Sequence, residues 1–382
     1  MPIAPIGPTV TVAGRRVPGF QLWGLIGLAA ALVLSAAIVE QRKLSLAVMA
    51  TIDVVAVLTF LALALLTKVA TGVERLTYYH HEIAVIVVTA IGLHLAGRPV
   101  AAYLDPTMLG VGAFLVFGRV GCFTAGCCHG RPARRGVRYG PAHAAEGFPR
   151  YLVGVPLAPV PLLEAGWVAL VVAAATVACL RGSAAGVAFA GYVVAYDAGR
   201  YGLEFLRGDP DRPYRAGFSA NQWVSLGLSS LLAVAELAGR LPFVAWHLAV
   251  TVGLVAVTAG LAVARRLDAG RPAKALVTPA HLQELARAID RCAAQPDLSI
   301  ERTSLGVRLS VATVEHDGEV VRAVTVSADG GLAEASAATL ERALQLVTRA
   351  PTTRLTPTAT GSWHFLTSGG VSSPRIPVPT SA

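Results

Sequence analysis

Charge is scarce in this sequence. Of its 382 residues only 14% are Asp, Glu, Lys or Arg, while 54% are hydrophobic and the mean hydropathy is +0.59. That balance excludes an ordinary soluble globular domain, in which about a quarter of residues carry charge. Cysteine is scarce as well: three of the five lie in residues 118–132, GRVGCFTAGCCHGRP, and the other two, Cys179 and Cys292, stand alone. A structural zinc site usually takes two closely spaced pairs, and the second pair is missing, so the spacing argues against a zinc or iron–sulfur centre. A disulfide from Cys122 to Cys127 or Cys128 stays open if the loop faces an oxidising compartment. A cleavable leader is not evident either. The run 20–39 is too long for the apolar core of a signal peptide and lacks a small-x-small cut site, so it is expected to remain as the first anchor.

What the sequence has instead is apolar runs. Those at 20–39, 52–70, 162–180, 186–201, 223–238 and 243–264 approach the roughly 20 residues needed to cross a bilayer core. Two shorter runs, 83–96 and 107–117, reach that length only by extending into polar flanks or by sitting tilted in a bundle. The expected fold is an all-α polytopic membrane protein of seven or eight transmembrane helices, because helices satisfy their own backbone where there is no water to do it. After Arg265 and Arg266 the pattern changes. Helical spacing at 281–293 and 332–347, strand-like alternation at 306–314 and 320–327, and an Asp317-Gly318 turn between the strands predict a small soluble α+β domain. The expected division is a transmembrane domain over 1–270, the α+β domain over 275–366, and a disordered tail, rich in Gly, Ser, Thr and Pro, over 367–382. His281 and Cys292 are lone residues on a helical pattern and are read as packing.

The few charges are therefore informative. Arg119 closes an apolar run, where a charge costs several kcal/mol unless it faces a polar cavity or a partner, and such residues are functional by default. In YDAGRYGLEFLR, residues 196–207, Arg200 and Glu204 are spaced i, i+4 and share a helix face with Tyr196, while Asp197 lies about a quarter turn away. The alternative reading is a structural ion pair that fixes helix packing. YYHHE at 78–82 sets His80 and His81 at the mouth of a short span. The loop 131–150 holds five arginines against one acid, Glu146, which reads either as a cytoplasmic positive-inside loop or as a surface for anionic head groups.

Four segments, in order, resemble the phosphatidylglycerol-prolipoprotein diacylglyceryl transferase family of bacteria. GRVGCFTAGCCHGRP at 118–132 is similar to the family signature in a Cys-rich form, GVPLAPVPLLEA at 154–165 to a helix opening with Pro, Leu and Glu, YDAGRYGLEFLRGDPD at 196–211 to a Tyr-Arg-Glu-Phe-Arg pattern, and FSANQWVSL at 218–226 to the start of a late helix. The resemblance implies Arg119, Arg200, His80 and Glu204 as catalytic residues and Tyr196, Glu164, Arg131, Arg207 and Gln222 as substrate-binding ones. The sequence departs from the family at His81-Glu82, in place of Gly-Gly, at Ala158, where members often have His, and at Cys122 and Cys127, in place of Asn and Glu.

The implied reaction moves the diacylglyceryl group of phosphatidylglycerol to the thiol of a lipobox cysteine in a prolipoprotein signal peptide and releases glycerol 1-phosphate. The implied partners are phosphatidylglycerol, the prolipoprotein and membrane lipids, with no nucleic acid, and the implied place is the bacterial inner membrane. Arginine forks suit the leaving phosphate, His80 is the candidate base, and no metal or other cofactor is required. The cysteines read as permissive neighbours. Outward-facing catalytic loops, which the resemblance also implies, set the 131–150 arginines against the positive-inside tendency. A rival reading is a non-catalytic protein of the same fold that binds or transports anionic phospholipid.

Overall fold

A computed structural model describes residues 7–72, 78–210, 212–267, 272–295, 299–316, 318–355 and 361–367. The chain divides into two compact units. One comprises residues 1–148 and 154–266, the other 149–153 and 267–382.

The first unit opens with a hairpin, β1 (Thr9–Val12) and β2 (Arg15–Pro18), and is otherwise helical: α1 (Gly19–Gln41), α2 (Leu46–Thr71), α3 (Tyr78–Leu95), α4 (Val100–Ala125), a strand β3 (Pro132–Val137), the short α5 (Pro141–Ala145), α6 (Val160–Leu180), α7 (Val187–Leu203), the tiny hairpin β4 (Tyr214–Arg215) and β5 (Phe218–Ser219), α8 (Ala220–Leu237) and α9 (Ala245–Leu267). Five of these, α1, α2, α4, α6 and α9, are long and apolar enough to cross a membrane. With the protein's hydropathy, they define a multi-pass membrane protein. Helices α3, α7 and α8 cover three further expected runs but carry more polar residues, so among the described residues five helices, rather than the expected seven or eight, are long and apolar enough to span.

The centre of the unit is α4, which runs well past the apolar stretch 107–117. Its polar extensions are tolerated because each is answered from a neighbouring helix. Asp105 is buried and accepts from the backbone N–H of Gly186 at 3.0 Å and of Phe189 at 2.8 Å, so it caps the start of α7 from outside that helix. At the other end Arg119, also buried, meets Glu164 of α6. Around α4 the core is formed by Met108, Leu109, Val168, Val172, Tyr192 and Tyr196. Many leucines and valines elsewhere on α1, α2, α6 and α9 are exposed, as expected of helix faces turned to lipid.

The second unit has α10 (Pro279–Ala294) and α11 (Glu334–Thr348) with a five-stranded antiparallel sheet. Its strands are β6 (Glu301–Arg302), β7 (Arg308–His316), β8 (Glu319–Ser327), β9 (Thr352–Arg354) and β10 (Trp363–Thr367), in the order β6-β7-β8-β10-β9. Alternation along β7 and β8 gives the sheet one apolar face, where Leu309, Val324 and Val326 are buried, and Leu285, Ile289, Leu340 and Leu344 supply the apolar stripes of the two helices. His281 has both ring nitrogens engaged, at 2.8 Å from the Leu276 carbonyl and 3.1 Å from Thr303, and Cys292 is buried, so both serve packing. Asp317 of the expected turn and the tail from 368 lie outside the described residues.

Candidate active site: a glutamate ringed by arginines

The first turns of α6 carry Glu164 into the middle of the helical unit, where the residue is fully buried. An isolated carboxylate at that depth would be prohibitively costly, so its partners define it. Arg119 Nε of α4 lies 3.0 Å from Oε1, Arg200 Nη1 of α7 donates to Oε2 at 2.9 Å, and Arg207 Nη1 lies 3.7 Å from Oε2. Tyr196, one turn before Arg200, donates its hydroxyl to Oε1 at 3.2 Å. The i, i+4 spacing then brings Glu204 to the far side of Arg200, 2.5 Å from Nη2.

A second layer follows immediately. Arg212 Nη1 is 2.5 Å from Glu204 Oε2, Asn221 at the start of α8 donates to Glu204 Oε1 at 3.2 Å, and Asp209 receives Arg207 Nε at 2.8 Å and also Arg212. Burial alone would push the Glu204 carboxyl up, but Arg200 and Arg212 overcome it and hold the group down at about 2.

Across this cluster four guanidiniums (119, 200, 207 and 212) meet three carboxylates (164, 204 and 209), which leaves one positive charge over. The donors are also unevenly used. A guanidinium has five N–H bonds, and Arg207 Nη1 has no hydrogen-bond partner among the described residues; Arg119 Nε, although close to Glu164, is poorly aligned to donate to it. Arg200 by contrast is held by carboxylates on both sides. The arrangement thus leaves one nitrogen of Arg207 and one of Arg119 without a well-formed bond, donors of the kind that recognise anions.

Backbone contacts position these walls. The N–H of Arg131 donates to Leu206 O at 2.9 Å, Gly208 N–H to His129 O at 3.0 Å, and Ala158 N–H to Arg131 O at 3.0 Å, so segment 129–131 is stitched to the strands of chain on either side of it. A Cβ on Gly130 would stand 2.4 Å from Ala158 O, which is why only glycine fits there. Arg131 itself is exposed and uses Nε on the Arg207 carbonyl at 3.0 Å, so it holds Arg207 in place through the backbone. Ala158 contributes its backbone in the same stitching.

The structure thus brings Arg119, Glu164, Tyr196, Arg200, Glu204 and Arg207 together. Gln222 is buried beside them but is committed elsewhere: it forms a capping box with Ser219 and donates to Tyr201 O at 3.3 Å, which makes it an anchor of α8. His80 is exposed, and no described contact joins it to the arginines, because helical phase on α3 turns Tyr79, His81 and Glu82 inward and His80 out. Motif reading passed over Asp209, Arg212 and Asn221. Their signal was present in GDPDR, a charged segment after the marked Arg207, and in SANQ, where Asn221 precedes the marked Gln222 at the start of α8.

A second polar group lies on the other side of Tyr196. Tyr79 donates to Asp197 Oδ1 at 2.8 Å and bonds Ser225 at 2.5 Å, and Ser229 donates to Asp197 Oδ2 at 3.0 Å. Tyr78 bonds Tyr192 at 2.8 Å and donates to Glu82 at 3.3 Å, while the rings of Tyr192 and Tyr196 stack at 6.0 Å.

Fold and site therefore define a class, a multi-pass membrane protein with a buried carboxylate walled by arginines. Residues 76–237, which include all four motif segments and every residue of the cluster, match the family described as prolipoprotein diacylglyceryl transferase. The chain is also similar to a protein of Clostridium tetani named phosphatidylglycerol–prolipoprotein diacylglyceryl transferase, at 33% identity over 112 residues, or 29% of this chain and 42% of that protein. The matched part thus spans well under half of that relative's length.

Proposed function

We propose that the protein transfers the diacylglyceryl group of phosphatidylglycerol to the lipobox cysteine of a prolipoprotein and releases glycerol 1-phosphate. The observation that carries the reading is the arginine cluster around Glu164, Glu204 and Asp209, four guanidiniums against three carboxylates, with two nitrogens lacking a well-formed bond. Sulfur must displace a phosphodiester oxygen from the glyceryl carbon, and charge grows on that oxygen as the bond breaks. Preorganised cations are worth most for such a step in a site shielded from water. Arg119 and Arg207 hold the leaving phosphate, while Arg200, locked between Glu164 and Glu204, fixes their carboxylate anchor and Tyr196 orients it. His80, exposed as it is, is replaced as base by solvent hydroxide or a phosphate oxygen.

In this reading all eight long helices of the first unit cross the bacterial inner membrane, phosphatidylglycerol reaches the arginine cluster from the lipid phase, and the lipobox of the signal peptide reaches it from the same side. The test is an assay on membranes containing the protein, supplied with phosphatidylglycerol labelled in its diacylglyceryl part and a lipobox peptide. A labelled thioether is expected. Retention of the lipid without thioether would replace the transferase by a phospholipid-binding protein of the same fold.

A further inference from the structure

The three cysteines of the signature sit close together in space. Cys122 ends the last turn of α4, Gly126 stops that helix in the left-handed region at φ 76°, and the reversal brings Cys127 and Cys128 back over Cys122. The three Sγ atoms all lie within 4.8 Å of one another, and Cys127 and Cys128 are 3.9 Å apart. All three are free thiols. We propose that Cys122, Cys127 and Cys128 form a three-thiolate site for zinc, whose fourth position takes the acceptor thiol of the transfer reaction.

Size and surroundings support this. Zinc bound tetrahedrally at about 2.3 Å requires sulfur–sulfur edges of about 3.8 Å, so one edge is already in place and the others need to close by less than about 1 Å. Two ligands in one reversed turn plus one from the preceding helix is a short-range framework, which counting Cys pairs along the sequence overlooks. Cys127 is exposed and opens the group to solvent, while Cys122 is buried. Tyr139 points to a ligand independently: it is 1% exposed, its ring packs on Gly126, the residue between Cys122's helix and Cys127, and its hydroxyl has no hydrogen-bond partner among the described residues. Such an orphan suits an outer contact to a metal-bound thiolate. Three protein ligands and one open position are the pattern of catalytic rather than structural zinc.

Location gives the site its role, and this half of the inference rests on the transferase reading. Arg119 touches both groups: its Nη1 is 3.9 Å from Cys128 Sγ and its Nε 3.0 Å from Glu164, so a thiol held by the cysteines stands one guanidinium away from the rest of the arginine cluster. The reaction needs a thiolate, and the nearby histidines have other partners, His129 on the Gly130 carbonyl at 3.0 Å and His143 on the Thr124 carbonyl at 3.1 Å. A coordinating thiol is deprotonated by the metal itself. The acceptor thiol binds zinc and gives its proton to solvent. Its sulfur then forms a bond to the glyceryl carbon as the carbon–oxygen bond to phosphate breaks, and that electron pair leaves on glycerol 1-phosphate beside Arg119 and Arg207. The thioether is a poor zinc ligand and departs.

The experiment uses the full chain in detergent micelles, purified under reducing conditions, loaded with Zn²⁺ or Co²⁺ and freed of excess metal by gel filtration. The expected result is about one metal ion per chain, a thiolate-to-cobalt charge-transfer band with tetrahedral cobalt absorption, and a change in that absorption on adding a lipobox peptide but not its Cys→Ser version. The combined Cys122→Ser, Cys127→Ser, Cys128→Ser variant should hold close to none. Folded wild type that stays metal-free, or a triple variant that binds equally, overturns the site. Should the variant not fold, wild type alone decides: zinc must slow alkylation of exposed Cys127, and unchanged labelling refutes the proposal. Full transfer by metal-stripped protein would remove zinc and leave the transferase standing, whereas stoichiometric metal without transfer would retain the site and remove its role in thiol activation.

Discussion

Two buried carboxylates one helix apart, Glu164 on α6 and Asp197 on α7, are satisfied in opposite ways. Asp197 is met by hydroxyls, those of Tyr79 and Ser229, and among the described residues no opposing charge lies at hydrogen-bond distance from it. Glu164 is met by three guanidiniums and one hydroxyl. The first arrangement closes on itself and ties α3, α7 and α8 together. The second does not close: even with Glu204 and Asp209 taking part of Arg200 and Arg207, Arg207 Nη1 has no hydrogen-bond partner among the described residues and Arg119 Nε is poorly aligned to its carboxylate. Tyr196, stacked on Tyr192 and bonded to Glu164, forms the boundary between the two.

The comparison can be broken first at its centre. Glu164→Ala should cost about 3–5 kcal/mol of stability, since it strands several buried cations at once, measured as denaturant unfolding in micelles. A neutral result would mean the arginines are hydrated and the cluster open. Next in size, Arg119→Ala should lower transfer by about 10²–10³-fold, the usual effect of removing one preorganised donor, with the fold retained by circular dichroism; Arg119→Lys should recover only part because it lacks the fork. Asp197→Asn should cost about 1–3 kcal/mol and leave the phospholipid affinity unchanged, as expected of a carboxylate whose partners are neutral. A loss of lipid binding in that variant would erase the distinction between the two groups.

Acid sharpens the contrast further. Glu204, held down at about 2 by Arg200 and Arg212 despite burial, contributes stability that is complete above its ordinary value of 4.5 and is lost as pH falls from there toward about 2. Thermal unfolding between pH 6 and pH 3 should therefore show a drop in midpoint that Glu204→Gln reduces. The smallest effect is expected at His80: being exposed, His80→Ala should change neither transfer nor its pH profile. A shifted profile in that variant would restore the histidine as base.

Much of this was legible in the sequence, and what was not has identifiable causes. Apolar runs marked the eight long helices, five of which are long and apolar enough to cross a membrane, yet they understated α4. Asp105 and Arg119 bracket the apolar stretch 107–117, and it is Gly186 and Glu164, far along the chain, that absorb them. Arg200, Glu204 and Tyr196 were visible as a set since helical spacing alone puts them on one face. The role of Arg212 and Asp209 was not, because turns have no such period. Gln222 carried the right motif but spends its amide on the α8 cap, a commitment that appears only with Tyr201 beside it. The cysteines illustrate the limit most plainly: as a spacing they lacked a second pair, and only the reversal at Gly126 reveals that three sulfurs share one corner.

The central claim is that surplus guanidinium donors around Glu164 hold a phospholipid phosphate while its diacylglyceryl group leaves. The most direct measurement is the labelled transfer assay run in parallel on membranes with wild-type protein and with Arg119→Ala. The account predicts labelled thioether on the lipobox peptide from the first and almost none from the second. Equal product from both, or phosphatidylglycerol bound by wild type without any thioether, would contradict it.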